Sequence, residues 1–137
     1  MAGYSGTPLP KKLGLASGQR VAFVGAPPSF AAALGRLPAG VVPLRSLSGR
    51  APLHVVVWFV KSRAELARSF GRTAARLDPA GALWVAWPKR SSGVPTDVTE
   101  DVVRELALRR GLVDVKVCAI DATWSGLKLV VPKAERR

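Results

Sequence analysis

The chain is most easily read from what it lacks. It has one cysteine, Cys118, which excludes an intrachain disulfide framework. It also has a single histidine, His54, so a Cys/His zinc site is not expected. No apolar run approaches the roughly 20 residues of a membrane-spanning helix, and the first residues do not form the apolar stretch of a secretory leader. No internal repeat is visible, and there is no P-loop, Gly-x-Ser-x-Gly or paired-histidine motif. Acidic residues are scarce, 9 against 21 Lys and Arg in 137 residues, for a formal net charge of +12. Apolar residues are plentiful at 48%, which argues against a disordered chain. The length suits one domain able to bury about two-thirds of its unfolded surface. The expectation is a cytoplasmic protein with an irregular arm over residues 1–12, a single domain over 13–132 and a basic tail over 133–137.

The basic excess is uneven. Residues 1–77 hold 11 Lys and Arg against one acid, Glu65, whereas residues 78–137 hold 10 against 8. Four of those acids, Asp97, Glu100, Asp101 and Glu105, lie close together. Such a field gathers anions, whether nucleic acid, nucleotides or an acidic partner protein, and names no chemistry.

The apolar pattern predicts an α/β fold. Val21 to Gly25 reads as a strand buried on both faces. Ser29 is a candidate cap for a helix that turns Phe30, Leu34 and Leu37 inward and stops at Pro38. Val41 to Leu44 reads as a weaker strand, pushed to an edge by Pro43, which cannot donate to a ladder. The run 53–60 is the strongest strand signal. Ser62-x-x-Glu65 follows as a capping box, opening a helix that buries Leu66, Phe70, Ala74 and Leu77. Residues 82–87 form another wholly apolar strand. Thr96-Asp97 is the expected cap of a last helix, ended by Gly111. Residues 113–117 and 127–129 alternate strictly, as antiparallel strands near a sheet edge do. The order predicts a three-layer Rossmann-like sandwich, mostly parallel, with a C-terminal antiparallel hairpin.

Two loops deserve chemical weight because ligands of open α/β sheets bind at the carboxyl ends of strands. In the first, Gly25 is followed by Pro27 and Pro28, so the glycine-rich phosphate fingerprint is absent. Arg45 stands where an acid would bind a ribose hydroxyl. Gly25, Ser29 and Arg45 are therefore only weak candidates for a cofactor site. In the second, Trp87, Lys89, Arg90, Ser91 and Ser92 combine a stacking face with cations and hydroxyls, and Lys61, Ser62 and Arg63 are expected on the same rim. The alternative is a solvated basic loop with Trp87 in the core. Arg68, Arg72 and Arg76 form a stripe that reads first as a solvated helix face and second as a phosphate track. The four clustered acids are accounted for by capping and the helix dipole. His54 reads as a packed histidine and Cys118 as a buried, inert thiol.

Two resemblances attach to these residues. Residues 12–25, the turn at Asp78-Pro79-Ala80-Gly81 and the terminal hairpin resemble a truncated class I, Rossmann-like methyltransferase that lacks one internal strand–helix unit. That resemblance implies the fold and, as an alternative activity, S-adenosylmethionine-dependent methyl transfer. Gly3-Tyr4-Ser5-Gly6-Thr7-Pro8-Leu9, Trp87-Pro88-Lys89, residues 92–97, residues 113–118 and Trp124-Ser125-Gly126-Leu127 are similar to an uncharacterised actinobacterial-type domain-of-unknown-function family. It implies no reaction, cofactor or partner. The combined reading is a non-catalytic binding protein with no assigned catalytic residue, cofactor or metal. Its partner would be an anionic small molecule or an acidic protein surface; nucleic acid is a less favoured partner, and a membrane is not expected.

Overall fold

The computed structural model describes residues 7–136. Its elements, in chain order, are α1 (Leu9–Lys12), β1 (Val21–Val24), α2 (Pro28–Leu34), β2 (Leu53–Phe59), α3 (Arg63–Ala75), β3 (Leu77–Pro88), α4 (Glu100–Arg109), β4 (Val113–Ala119) and β5 (Trp124–Val130). Single 3-10 turns occur at Arg90–Ser92 and Lys133–Glu135. The five strands form one sheet in the order β1-β2-β3-β5-β4. β1, β2 and β3 run parallel, while β5 is antiparallel to both β3 and β4. Parallel strands are joined by crossover helices that cover the sheet, which is why β2 and β3 can be apolar on both faces.

Helices lie on both sides, giving three layers. On one side Leu66 and Phe70 of α3 and Val103 and Ala107 of α4 pack on Val56, Trp58, Leu83, Val85 and Leu127. On the other, Leu9 and Leu13 join Phe30 and Leu34 of α2 over Phe23, Val57, Phe59 and Trp84. The buried Trp84 indole donates to the Leu13 carbonyl at 3.1 Å, fixing the α1 segment to the sheet. Residues 9–12 are thus a helical turn with Leu9 and Pro10 buried, where the sequence reads as an irregular arm. Residues 3–6 of the expected family signature lie outside the described residues.

Several local expectations change. α2 starts on Pro28 with no side-chain cap, so Ser29 sits inside the first turn; proline is pre-organised for that position. The expected strand at 41–44 is reduced to one bridge, Leu44 beside Ala22, parallel and outside β1. α4 is capped by Thr99, whose Oγ1 accepts from the Val102 N–H at 3.2 Å, because Thr96 and Asp97 are engaged elsewhere. β3 begins at Leu77, and its register against β2 slips between Leu53↔Leu77 and Val55↔Ala82. A Cβ on Gly81, within that slip, would lie 2.8–3.0 Å from the carbonyl oxygens of Leu53, His54 and Asp78. β4 carries a bulge, its register shifting between Asp114 and Lys116. Val115 is the extra residue, so Asp114 turns toward α4 and the strict alternation of the sequence is broken.

Candidate functional site

The carboxyl ends of β2 and β3 adjoin, because the Val60 N–H donates to the Ala86 carbonyl at 2.9 Å. Beyond them two loops are stitched together. Thr96 Oγ1 donates to the Lys61 carbonyl at 2.7 Å, and the Arg63 N–H donates to Asp97 Oδ1 at 2.7 Å. Ser62 Oγ accepts from the Glu65 N–H at 3.2 Å and caps α3, which is the serine half of the expected capping box. The Lys89 N–H donates to the Thr123 carbonyl at 2.7 Å, which ties the β4–β5 hairpin to the same end of the sheet. Ser92 Oγ donates to the Lys89 carbonyl at 2.6 Å and accepts from the Val94 N–H at 3.2 Å. That hydroxyl therefore shapes the loop, which turns at Gly93 with φ of 76°.

The segment 87–99 lines an open cavity of about 410 Å³, with Trp87, Arg90, Val94, Thr96 and Thr99 on its walls and no residue of the β2–α3 loop among them. Trp87 is 7% exposed and belongs to the α3/α4 core, so only the margin of its indole faces the cavity. Of the eight rim residues expected from sequence, Trp87 and Arg90 line this space. Lys61, Arg63, Arg90 and Ser91 are exposed and Lys89 is half-buried. Thr96 and Thr99 were not expected at the site; the signal is the pairing of Thr96 with the Lys61 carbonyl, which only the fold reveals.

A second cavity, of about 630 Å³, opens at the carboxyl end of β1 between α2 and the segment that carries Leu44. Gly25 and Arg45 both line it, whereas Ser29 does not. Gly25 has φ of 70°, and a Cβ there would meet the Phe59 carbonyl oxygen at 2.9 Å, so the turn after β1 leans onto the end of β2. Below it an edge-to-face aromatic row runs Phe23, Phe30, Phe59 and Trp124, with centroids 4.8–5.2 Å apart.

The remaining chemistry-bearing side chains are engaged structurally. Arg76 does not extend the Arg68 and Arg72 stripe. Its guanidinium donates to the Leu47 carbonyl and, at 2.9 Å, to the Ala51 carbonyl, which leaves a shorter phosphate track than the sequence suggests. Arg104 bridges Glu100, Asp101 and Asp114. Its pKa is raised by the hydrogen bonds to Glu100 and Asp114, while Asp114 is held below the ordinary carboxylate range by Arg104. Arg104 thus offsets part of the acidic start of α4, and no group of His, Cys, Asp or Glu suited to a metal occurs among the described residues. His54 Nδ1 accepts from the Arg20 N–H at 2.8 Å. Cys118 is half-buried, and burial pushes its thiol pKa up against the pull of Lys12 and Lys116.

The profile of a family described as protein of unknown function (DUF3052) matches residues 52–133, more than half of the chain. The chain belongs to that family. Both rim loops, the α4 start and the β4–β5 hairpin of this DUF3052 protein fall inside the matched region, while the cavity at the end of β1 lies before it. No curated protein sequence matches the chain. Among solved structures it is similar to the magnesium protoporphyrin IX methyltransferase of Synechocystis with bound SAM, at 10% identity, covering 85% of this chain and 71% of that one with a TM-score of 0.57. A SAM-dependent methyltransferase from Aquifex aeolicus is 17% identical over 88% of this chain and 87% of its own, with a TM-score of 0.59. Fibrillarin from Aeropyrum pernix with natively bound S-adenosyl-L-methionine is 16% identical over 93% and 70%, with a TM-score of 0.56. At these identities the likeness establishes the fold: a small α/β domain of the Rossmann-like methyltransferase type. No helix among the described residues is long and apolar enough to cross a membrane.

Proposed function

We propose that this DUF3052 protein binds a small anionic ligand at the rim formed by the ends of β2 and β3, without catalysing a reaction. The observation that carries this reading is the stitching of the two rim loops by Thr96 and Asp97, which holds the cavity beside Trp87 and Arg90. Arg90 is the cation that lines it, Lys61, Arg63 and Lys89 add positive charge on the adjoining loops, and Asp97 accepts from the Arg63 N–H. A phosphate or carboxylate would take charge-assisted bonds from the guanidinium and ammonium groups, with a planar part over the Trp87 margin. Calorimetric titration with nucleotides and acyl phosphates tests this. A binder should be found whose affinity drops at least about tenfold in Lys89→Ala/Arg90→Ala. Equal affinity in that variant refutes the site.

A second reading, S-adenosylmethionine-dependent methyl transfer, is supported by the fold and by a cavity at the carboxyl end of β1. Against it, that cavity has prolines where backbone donors are wanted, and Arg45 where a ribose-binding acid is wanted. Thermal stabilisation by millimolar S-adenosylmethionine would favour this reading, and its absence would remove it.

A further inference from the structure

We infer that the cavity at the end of β1 binds an amphipathic organic anion, an apolar and preferably planar body carrying one carboxylate or sulfonate, independently of the rim. Its volume of about 630 Å³ lies within the range of small-molecule sites. Its walls are apolar, with Phe23, Phe30 and Leu34 on the inner side and Pro43 and Leu44 on the outer, and Arg45 is the single charged lining residue. A lone cation over an apolar wall, with no carboxylate in the lining, selects an anion joined to an apolar body. No side-chain acceptor lines it to meet a cationic sulfonium or a ribose hydroxyl.

Two features of the cavity's walls support an occupant. The segment of α2, Pro-Ser-Phe-Ala-Ala-Ala-Leu, has no charged residue, although Ala31 and Ala32 face outward. Ser29 is the one polar residue on that exposed face, and Ala31 presents only a methyl group to the cavity. Leu44, on the opposite wall, is 45% exposed, which is apolar surface that a ligand would remove from water.

The test uses the intact chain and 8-anilinonaphthalene-1-sulfonate, a planar apolar body with one sulfonate. Saturable fluorescence enhancement is expected, displaced by naphthalene-2-carboxylate and not by the neutral naphthalene-2-carboxamide. Arg45→Gln should weaken the dye about tenfold. Ala31→Trp, at an exposed helical position lining the cavity, should abolish binding while leaving the circular dichroism spectrum unchanged. Lys89→Ala/Arg90→Ala should leave dye affinity unaltered, which separates this cavity from the rim. The inference is overturned if the dye does not bind. It is equally overturned if Arg45→Gln and Ala31→Trp bind like the parent, if the rim variant loses the dye, or if S-adenosylmethionine displaces it.

Discussion

Gly81 shows how much of this fold hangs on single positions. Its φ is unremarkable, so conformational freedom is not the reason for glycine there. Space is: three carbonyl oxygens crowd the place a Cβ would occupy, where β3 slips past the start of β2. Gly81→Ala should therefore destabilise by about 2 kcal/mol or more, as overpacking against unyielding backbone does. Urea unfolding of the variant measures it, and a change under about 0.5 kcal/mol would show that the slip can relax. At this scale the sequence was partly legible. His54 reads as a structural histidine and it is one, holding the Arg20 N–H. Ser62 reads as a cap and it is one. Ser29 and Arg76 read differently from what they do, because a proline already starts α2 and because the carbonyls that Arg76 serves lie 25 and 29 residues away in the chain. No local pattern carries that information.

The elements were legible wherever hydrophobic period alone decides them, and least so where tertiary bonds compete. β1, β2, the body of α3 and the apolar part of β3 follow their patterns, but Leu77, expected on the buried face of α3, opens β3 instead. The start of α4 does not, since Thr96 and Asp97 leave it for Lys61 and Arg63 and pass the cap to Thr99. For the same reason the rim's cations could be anticipated, but not the threonines that hold it together. β4 departs from its alternating sequence through the bulge at Val115, an irregularity common on edge strands, where it discourages pairing with other chains. Past the bulge, Lys116 faces Lys128 directly across the β4–β5 pair. Burial and the charge of Lys116 both lower the Lys128 pKa. A depressed lysine pKa means that the folded state disfavours the charged form, so the penalty is present at neutral pH and disappears as pH rises above the folded value. Lys128→Gln should raise the melting temperature by about 1–3 °C at low salt, with the gain shrinking at 0.5 M NaCl. Differential scanning fluorimetry in both buffers checks it; an equal or lower melting temperature at low salt would show that the lysine stem contributes more by packing.

For the whole molecule, the formal charge of +12 makes acid the revealing perturbation. Arg104 collects three carboxylates, and its partner Asp114 has a folded-state pKa below the ordinary value. The stabilisation from that shift is complete above the unfolded aspartate value of about 3.9 and is lost as pH falls through the folded one. Melting temperature should accordingly fall below about pH 4. Arg104→Met should lower it at pH 7 and flatten the acid limb; parallel curves for the two proteins would assign acid unfolding to other carboxylates. The three-layer sheet itself was legible, because apolar strands followed by helical patterns admit few arrangements. The missing part was the edge beyond β1, where Pro43 and a single bridge replace a full strand. The place of β5 has a further consequence for how the molecule is made. The last strand of the described residues is not at the border of the sheet but between β3 and β4. During synthesis the apolar flank of β3 stays open until residues 124–130 have emerged, and β4 has until then no strand to pair with among the described residues. Without β5 in place the apolar flank of β3 is open to aggregation or to a chaperone.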